Sequence, residues 1–166
     1  MKKVLFIVAF VLIGLGSVNA QNGSFNAGVN IGFPTGDISD FYSLAISAEA
    51  NYLFEISDQF KVGPSISYLH YIGKKDINGS GFDADDNSFL PIAAAARFAA
   101  SEKFTIGADL GYGFGISPDD IEGAFYYRPM IGYNISEKVM LQATYTGMSK
   151  EGSTISNFGV GAMFSL

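Results

Sequence analysis

The chain has 166 residues, enough for one domain, with sixteen acidic and ten basic side chains, no cysteine and no tryptophan. The missing thiol excludes disulfides, cysteine-ligated metals and a lipidated cysteine behind a leader. The acidic balance excludes a nucleic-acid partner, because phosphate binding needs a basic surface.

The first twenty residues read as a secretory signal. Lys2 and Lys3 form a basic start, Val4 to Leu15 is an apolar run interrupted only by Gly14, and Val18 and Ala20 are small residues at the positions a signal peptidase reads. The run is short for a membrane anchor and lacks a charged stop on its far side. Cleavage is expected before Gln21, giving a signal peptide over 1–20 and one domain over 21–166. Removing Lys2 and Lys3 leaves eight basic residues against sixteen acids, a formal charge of −8.

From Ser24 onward the dominant period is two. Phe25, Ala27, Val29, Ile31 and Phe33 alternate with Asn26, Gly28, Asn30 and Gly32. Phe104, Ile106, Ala108, Leu110, Tyr112, Phe114 and Ile116 alternate with Thr105, Gly107, Asp109, Gly111, Gly113 and Gly115. Successive side chains of a strand point to opposite faces, so each segment has one apolar face and one small or polar face. The rhythm predicts eight strands, over 24–33, 43–54, 60–72, 88–100, 104–116, 124–135, 139–148 and 155–166. Each is about ten to thirteen residues, the length that crosses a bilayer at a tilt. No segment after the leader shows a convincing helical period.

The connections alternate. Those at 34–42, 73–87, 117–123 and 149–154 are longer and carry most of the acids, whereas those at 55–59, 101–103 and 136–138 are short. Short periplasmic turns and longer external loops are the bacterial barrel pattern, with both termini in the periplasm for an even strand count. The short turns share a template, seen in Ile56-Ser57-Asp58-Gln59-Phe60, Ala100-Ser101-Glu102-Lys103-Phe104 and Ile135-Ser136-Glu137-Lys138-Val139. Ser and an acid suit such turns because their side chains bond the local backbone.

The second face separates a membrane barrel from a soluble one. A soluble eight-stranded barrel turns its apolar face inward and its charged face to water. Here the second face is mostly Gly, Ala, Ser and Asn, which suits a crowded narrow lumen, and the first face is too bulky for eight strands to enclose. Aromatics also collect at both ends of the apolar face, as at two lipid–water interfaces: Phe104 against Tyr112 and Phe114, and Tyr127 and Tyr133 about Ile131. Strands in lipid must pair on both edges, which requires closure. Pro64, Pro91 and Pro129 each remove a ladder donor, so bulges, shortened pairing or shifted strand ends are expected there.

These features resemble the small outer-membrane barrels of Gram-negative bacteria typified by OmpX, OmpW and the OmpA membrane domain. Gln at the mature start and the repeated Ser-Glu-Lys turns look like the versions common in Bacteroidota. The resemblance implies an all-β, eight-stranded antiparallel up-and-down transmembrane barrel, monomeric, contacting outer-membrane lipids and lipopolysaccharide. It also implies that the barrel-assembly machinery reads the last strand, here Phe158, Val160, Ala162, Phe164 and Leu166. The family usually ends in an aromatic, and this chain ends in Leu166.

Glu49, Lys61, Arg97, Asp109, Arg128 and Gln142 fall on the inward phase. A charge in a narrow lumen needs a partner, so their mixed signs predict a structural salt-bridge network. The function expected is therefore a filled, non-enzymatic barrel with a structural or surface-interaction role. The alternative is a narrow, OmpW-like conduit for small hydrophobic molecules or ions. A third reading, a lipid A-modifying interfacial enzyme, rests on His70, the only histidine, on the outward phase near the external rim. The run Tyr68-Leu69-His70-Tyr71-Ile72 offers no neighbouring Ser for it to activate. Asp76, Asn78 and Ser80 loosely follow the start of a calcium loop, without the usual glutamate or flanking helices. An acidic, solvated loop is the expectation there, and no cofactor is expected.

Overall fold

A computed structural model describes residues 23–79, 81–119 and 121–166, so the signal and its cleavage site lie outside the described residues. Eight strands follow one another: β1 (Gly23–Thr35), β2 (Tyr42–Glu55), β3 (Phe60–Gly73), β4 (Asn87–Ala99), β5 (Phe104–Ser117), β6 (Ala124–Asn134), β7 (Val139–Lys150) and β8 (Ser153–Ser165). Each pairs antiparallel with its sequence neighbour, and β1 closes on β8 from Asn26↔Ser165 to Thr35↔Ser156. The sheet therefore has no free edge, which is what lets a β structure stand in hydrocarbon.

The apolar phase points outward. Leu110, Ile131 and Val160, near the middle of their strands, are 54%, 52% and 50% exposed. Rings pack against one another at both ends of this surface. Tyr52 packs on Phe54 with centroids 4.9 Å apart, and Phe104 on Tyr133 at 5.2 Å, beside the short turns. Tyr112 meets Phe114 at 5.0 Å, and Phe125 meets Tyr127 at 6.2 Å, beside the long loops. Two girdles about a band of Ile, Leu, Val and Ala are the expected shape of a barrel seated in a bilayer.

The shared turn template has one physical basis. Ser57, Ser101 and Ser136 each accept the backbone N–H three residues on, from Phe60, Phe104 and Val139, at 3.2, 3.1 and 3.1 Å. The hydroxyl thus satisfies the first N–H of the following strand.

One expectation is corrected, and another is met in one of its forms. The connection anticipated over 149–154 is only Glu151-Gly152, because β7 and β8 pair out to Lys150↔Ser153. Glu151 and Gly152 have φ of 50° and 87°, the left-handed pair that a two-residue hairpin requires. At the prolines the expected shortened pairing is found without bulges, and register is kept: Pro64↔Ala94, Pro91↔Gly113 and Pro129↔Ala108 are all in line. Pairing lapses only on the opposite side of each, between Asn51↔Ser65 and Phe54↔Val62, Ile66↔Ile92 and Leu69↔Phe89, and Tyr127↔Gly147 and Met130↔Thr144. A missing N–H opens one ladder and leaves the other untouched. The register shifts that do occur, at Tyr42/Leu44 and Ser88/Phe89, lie at the outer ends of β2 and β4.

Candidate functional site

The lumen is built in layers. Glu49 on β2 and Arg128 on β6 project from opposite walls of the eight-strand ring and pair at its centre. Arg128 also donates from Nε and Nη2 to Asp109 Oδ2 on β5, at 3.0 and 2.7 Å. Asp109 Oδ1 in turn accepts from Arg97 Nη1 on β4 at 2.6 Å. Glu49 Oε1 accepts from Asn30 Nδ2 on β1 at 2.9 Å and from Gln142 Nε2 on β7 at 2.5 Å, and Gln142 Nε2 also reaches Asn30 Oδ1 at 2.8 Å. Every carboxylate oxygen is used, and two cations balance two anions. Buried charge is tolerable on those terms only. Arg128 is 3% exposed.

The neighbouring glycines make this packing possible. A Cβ at Gly107 would sit 2.6 Å from Arg97 Cδ, and one at Gly161 would sit 2.2 Å from Asn30 Oδ1. Glycine on the inward phase is therefore the space into which the long polar side chains of adjacent strands fold.

Five of the six lumen residues picked out in the sequence meet in this cluster. Lys61 does not. It lies directly across the ladder from Arg97, so the two cations turn apart: Arg97 to Asp109, and Lys61 to Glu55 at the periplasmic rim, 2.6 Å away and half-exposed. Between them a cavity of about 320 Å³, lined by Asn26, Asn51, Lys61 and Arg97 among others, opens toward the short turns.

Sequence reasoning missed the outer half of the lumen. Leu69, Tyr71, Phe89, Tyr126 and Met148 are buried there as an apolar cluster with Ala45, Ala93 and Ala124. Tyr71 accepts from Asn157 Nδ2 at 2.8 Å, which satisfies its hydroxyl. Above this cluster a second cavity, of about 330 Å³, is lined by Phe89, Met148, Ile121 and Ile155, with Lys150 and Glu122 paired at its rim.

The external loops hold their acids by local bonds. Asp83 Oδ1 accepts from Asp76 N at 2.9 Å, and Lys75 lies 3.3 Å from Oδ2. The Asp76 N–H first, and then Lys75, hold the Asp83 carboxyl below the usual carboxylate range. The bond from Lys150 does the same for Glu122. Of the loose calcium pattern, Asp76 takes the N–H of Gly81 at 2.8 Å, and the Asn78 and Ser80 side chains lie outside the described residues. Among the described residues no group of three or more His, Asp or Glu is placed to hold a metal ion.

His70 has the neighbour that its own strand lacks. Its Nδ1 lies 2.9 Å from Ser88 Oγ on β4, and its Nε2 lies 3.5 Å from Asp86 Oδ2. No local reading of β3 could find this pair, because the longest loop separates them in sequence.

Residues 8–165 match the model of the outer membrane protein beta-barrel domain. The chain belongs to that family. It is an outer-membrane β-barrel, and its two girdles and closed sheet are the family's means of sitting in a bilayer. Among solved structures it is similar to Ail, the attachment invasion locus protein of Yersinia pestis. The two are 16% identical with a TM-score of 0.56, over 87% of this chain and 98% of that one. It is similar to Neisserial surface protein A at 12% identity and a TM-score of 0.50, over 90% and 100%. It is similar, too, to a de novo designed transmembrane β-barrel at 12% identity and a TM-score of 0.56, over 90% and 100%. At these identities the likeness is one of fold. No curated protein matches the chain.

Proposed function

We propose that this outer-membrane barrel is a filled, non-conducting barrel with a structural or surface-interaction role in the envelope. The observation that carries the reading is the Arg128–Glu49 pair across the full diameter, tied on to Asp109, Arg97, Gln142 and Asn30. Such a strut fixes the cross-section, and an eight-stranded barrel leaves room for little beyond side chains. The apolar cluster about Tyr71 and Phe89 adds a second layer that no hydrated ion crosses cheaply. What faces the outside is then the loop surface, and a partner would be met there. In this reading the barrel is a monomer among outer-membrane lipids and lipopolysaccharide.

The finer placement is part of the same proposal. The chain is exported by its signal, cut before Gln21, and is of the OmpX-like, Bacteroidota type. The assembly machinery reads β8 and the residue after it, where Phe158, Val160 and Phe164 are exposed on the outer surface and Leu166 N donates to Phe25 O at 3.0 Å.

Planar-bilayer recording of the purified protein tests the proposal. The expected result is no steady unitary conductance. Reproducible openings that change size on Arg128→Ala would overturn it in favour of the narrow conduit.

A further inference from the structure

The lumen accounts for the buried charges, but not for three polar side chains on the outer surface. His70 and Ser88 are register partners on the outward phase of β3 and β4, and Asp86 lies just beyond the end of β4. They sit in the external girdle, beside Tyr68 and one strand from Phe114. At the lipid boundary a polar group needs a partner, but one hydrogen bond would have sufficed for each. Instead they form a chain. Asp86 Oδ1 is anchored by Gly73 N at 2.8 Å, and its Oδ2 faces His70 Nε2. His70 Nδ1 faces Ser88 Oγ, and Ser88 Oγ also accepts from the Tyr68 hydroxyl at 3.0 Å. With Tyr68 as donor, the serine proton is left for Nδ1, and the carboxylate favours the tautomer protonated on Nε2. That is a hydroxyl, a base and an orienting acid in sequence, with the roles that acyl transfer requires. At 3.5 Å the contact from Nε2 to Asp86 Oδ2 is electrostatic rather than a hydrogen bond.

We propose that Ser88, His70 and Asp86 form a hydrolytic site for acyl esters presented at the outer lipid–water interface. This goes beyond the role proposed for the lumen and does not depend on it. Ser88 Oγ adds to the ester carbonyl carbon as its proton passes to His70 Nδ1. The tetrahedral oxyanion collapses, the bond to the alcohol oxygen breaks, and the alcohol leaves with the proton from Nδ1. Water then attacks the acyl-serine, giving a proton to Nδ1. The second collapse releases the carboxylic acid, and Nδ1 returns the proton to Ser88 Oγ. Ser88 and His70 are the catalytic residues, and Asp86 is a positioning residue. Ser88 is only 5% exposed beneath the stacked Tyr68 and His70 rings, so substrate enters by displacing the Tyr68 ring, itself exposed to lipid.

The test uses the full barrel, folded in phospholipid vesicles and checked by its heat-dependent gel migration. It is treated with a fluorophosphonate probe and, separately, with a fluorogenic medium-chain acyl ester. The expected result is covalent labelling mapped to Ser88 by peptide mass spectrometry, which needs no variant. Ester turnover should fall about 100-fold or more in folded Ser88→Ala and His70→Gln. Asp86→Asn should slow labelling about 10-fold or more, because the uncharged amide no longer orients the imidazole. A purely structural Asp86, whose Oδ1 only accepts from Gly73 N, would tolerate Asn without loss, since the amide oxygen still accepts. Absence of labelling in folded wild-type protein, labelling mapped elsewhere, or ester turnover unchanged in Ser88→Ala would each overturn the proposal.

Discussion

Arg128 is the residue on which the lumen turns, because it serves both carboxylates at once. Removing it leaves Glu49 and Asp109 buried with only Arg97 to share. Arg128→Met is therefore expected to destabilise the folded barrel by about 3–5 kcal/mol, read from urea unfolding in vesicles. A loss below about 1 kcal/mol, the range of an exposed pair, would show that the pair is solvated. The inward phase of these residues was legible in the sequence, because Glu49, Asp109 and Arg128 fall on the small or polar phase of the alternation. Their partners were not, since Asn30 and Gln142 come together only when β1 and β7 flank β8 in the closed ring. Lys61 shows the limit of phase alone: it points inward, yet its strand neighbour carries the same charge and turns it to the rim.

Strands were easier to read than their contents. Alternation placed all eight within one or two residues at most ends, because outward side chains on every strand meet the same hydrocarbon. It blurred in β3, where Tyr68, Leu69, His70, Tyr71 and Ile72 are bulky on both phases, and there the apolar cluster of the outer lumen went unseen. The β7–β8 hairpin was read as a longer loop, since Ser149, Lys150, Ser153 and Thr154 look like loop residues although they pair. Gly152, with φ of 87°, holds that turn. Gly152→Val should cost about 1–2 kcal/mol, measured by the same urea titration, and an unchanged midpoint would mean that the turn rearranges freely. The β3–β4 loop carries a pH dependence. Asp83 has its carboxyl held low by the Asp76 N–H and Lys75, so its contribution is complete above the ordinary carboxylate range and is lost as pH falls through the lowered value. Protease cleavage within 74–86 should accordingly accelerate below about pH 4 and stay constant between neutral pH and that point. Acceleration on raising the pH instead would reverse the sign and contradict the assignment.

At the scale of the whole molecule, closure and orientation are one statement. A closed ring with bulky residues outward and glycine, amides and paired charges inward is stable only if the surroundings are hydrocarbon. The same ring in water would expose its greasiest surface. The absence of tryptophan makes this directly measurable. Single substitutions Leu110→Trp, Ile131→Trp and Val160→Trp, each folded into vesicles containing lipids brominated along the acyl chains, report whether those positions touch lipid. Strong quenching by the brominated chains at all three, with little quenching by aqueous iodide, is the result predicted. Fluorescence indifferent to bromine at these positions would place them toward the barrel axis and contradict the account.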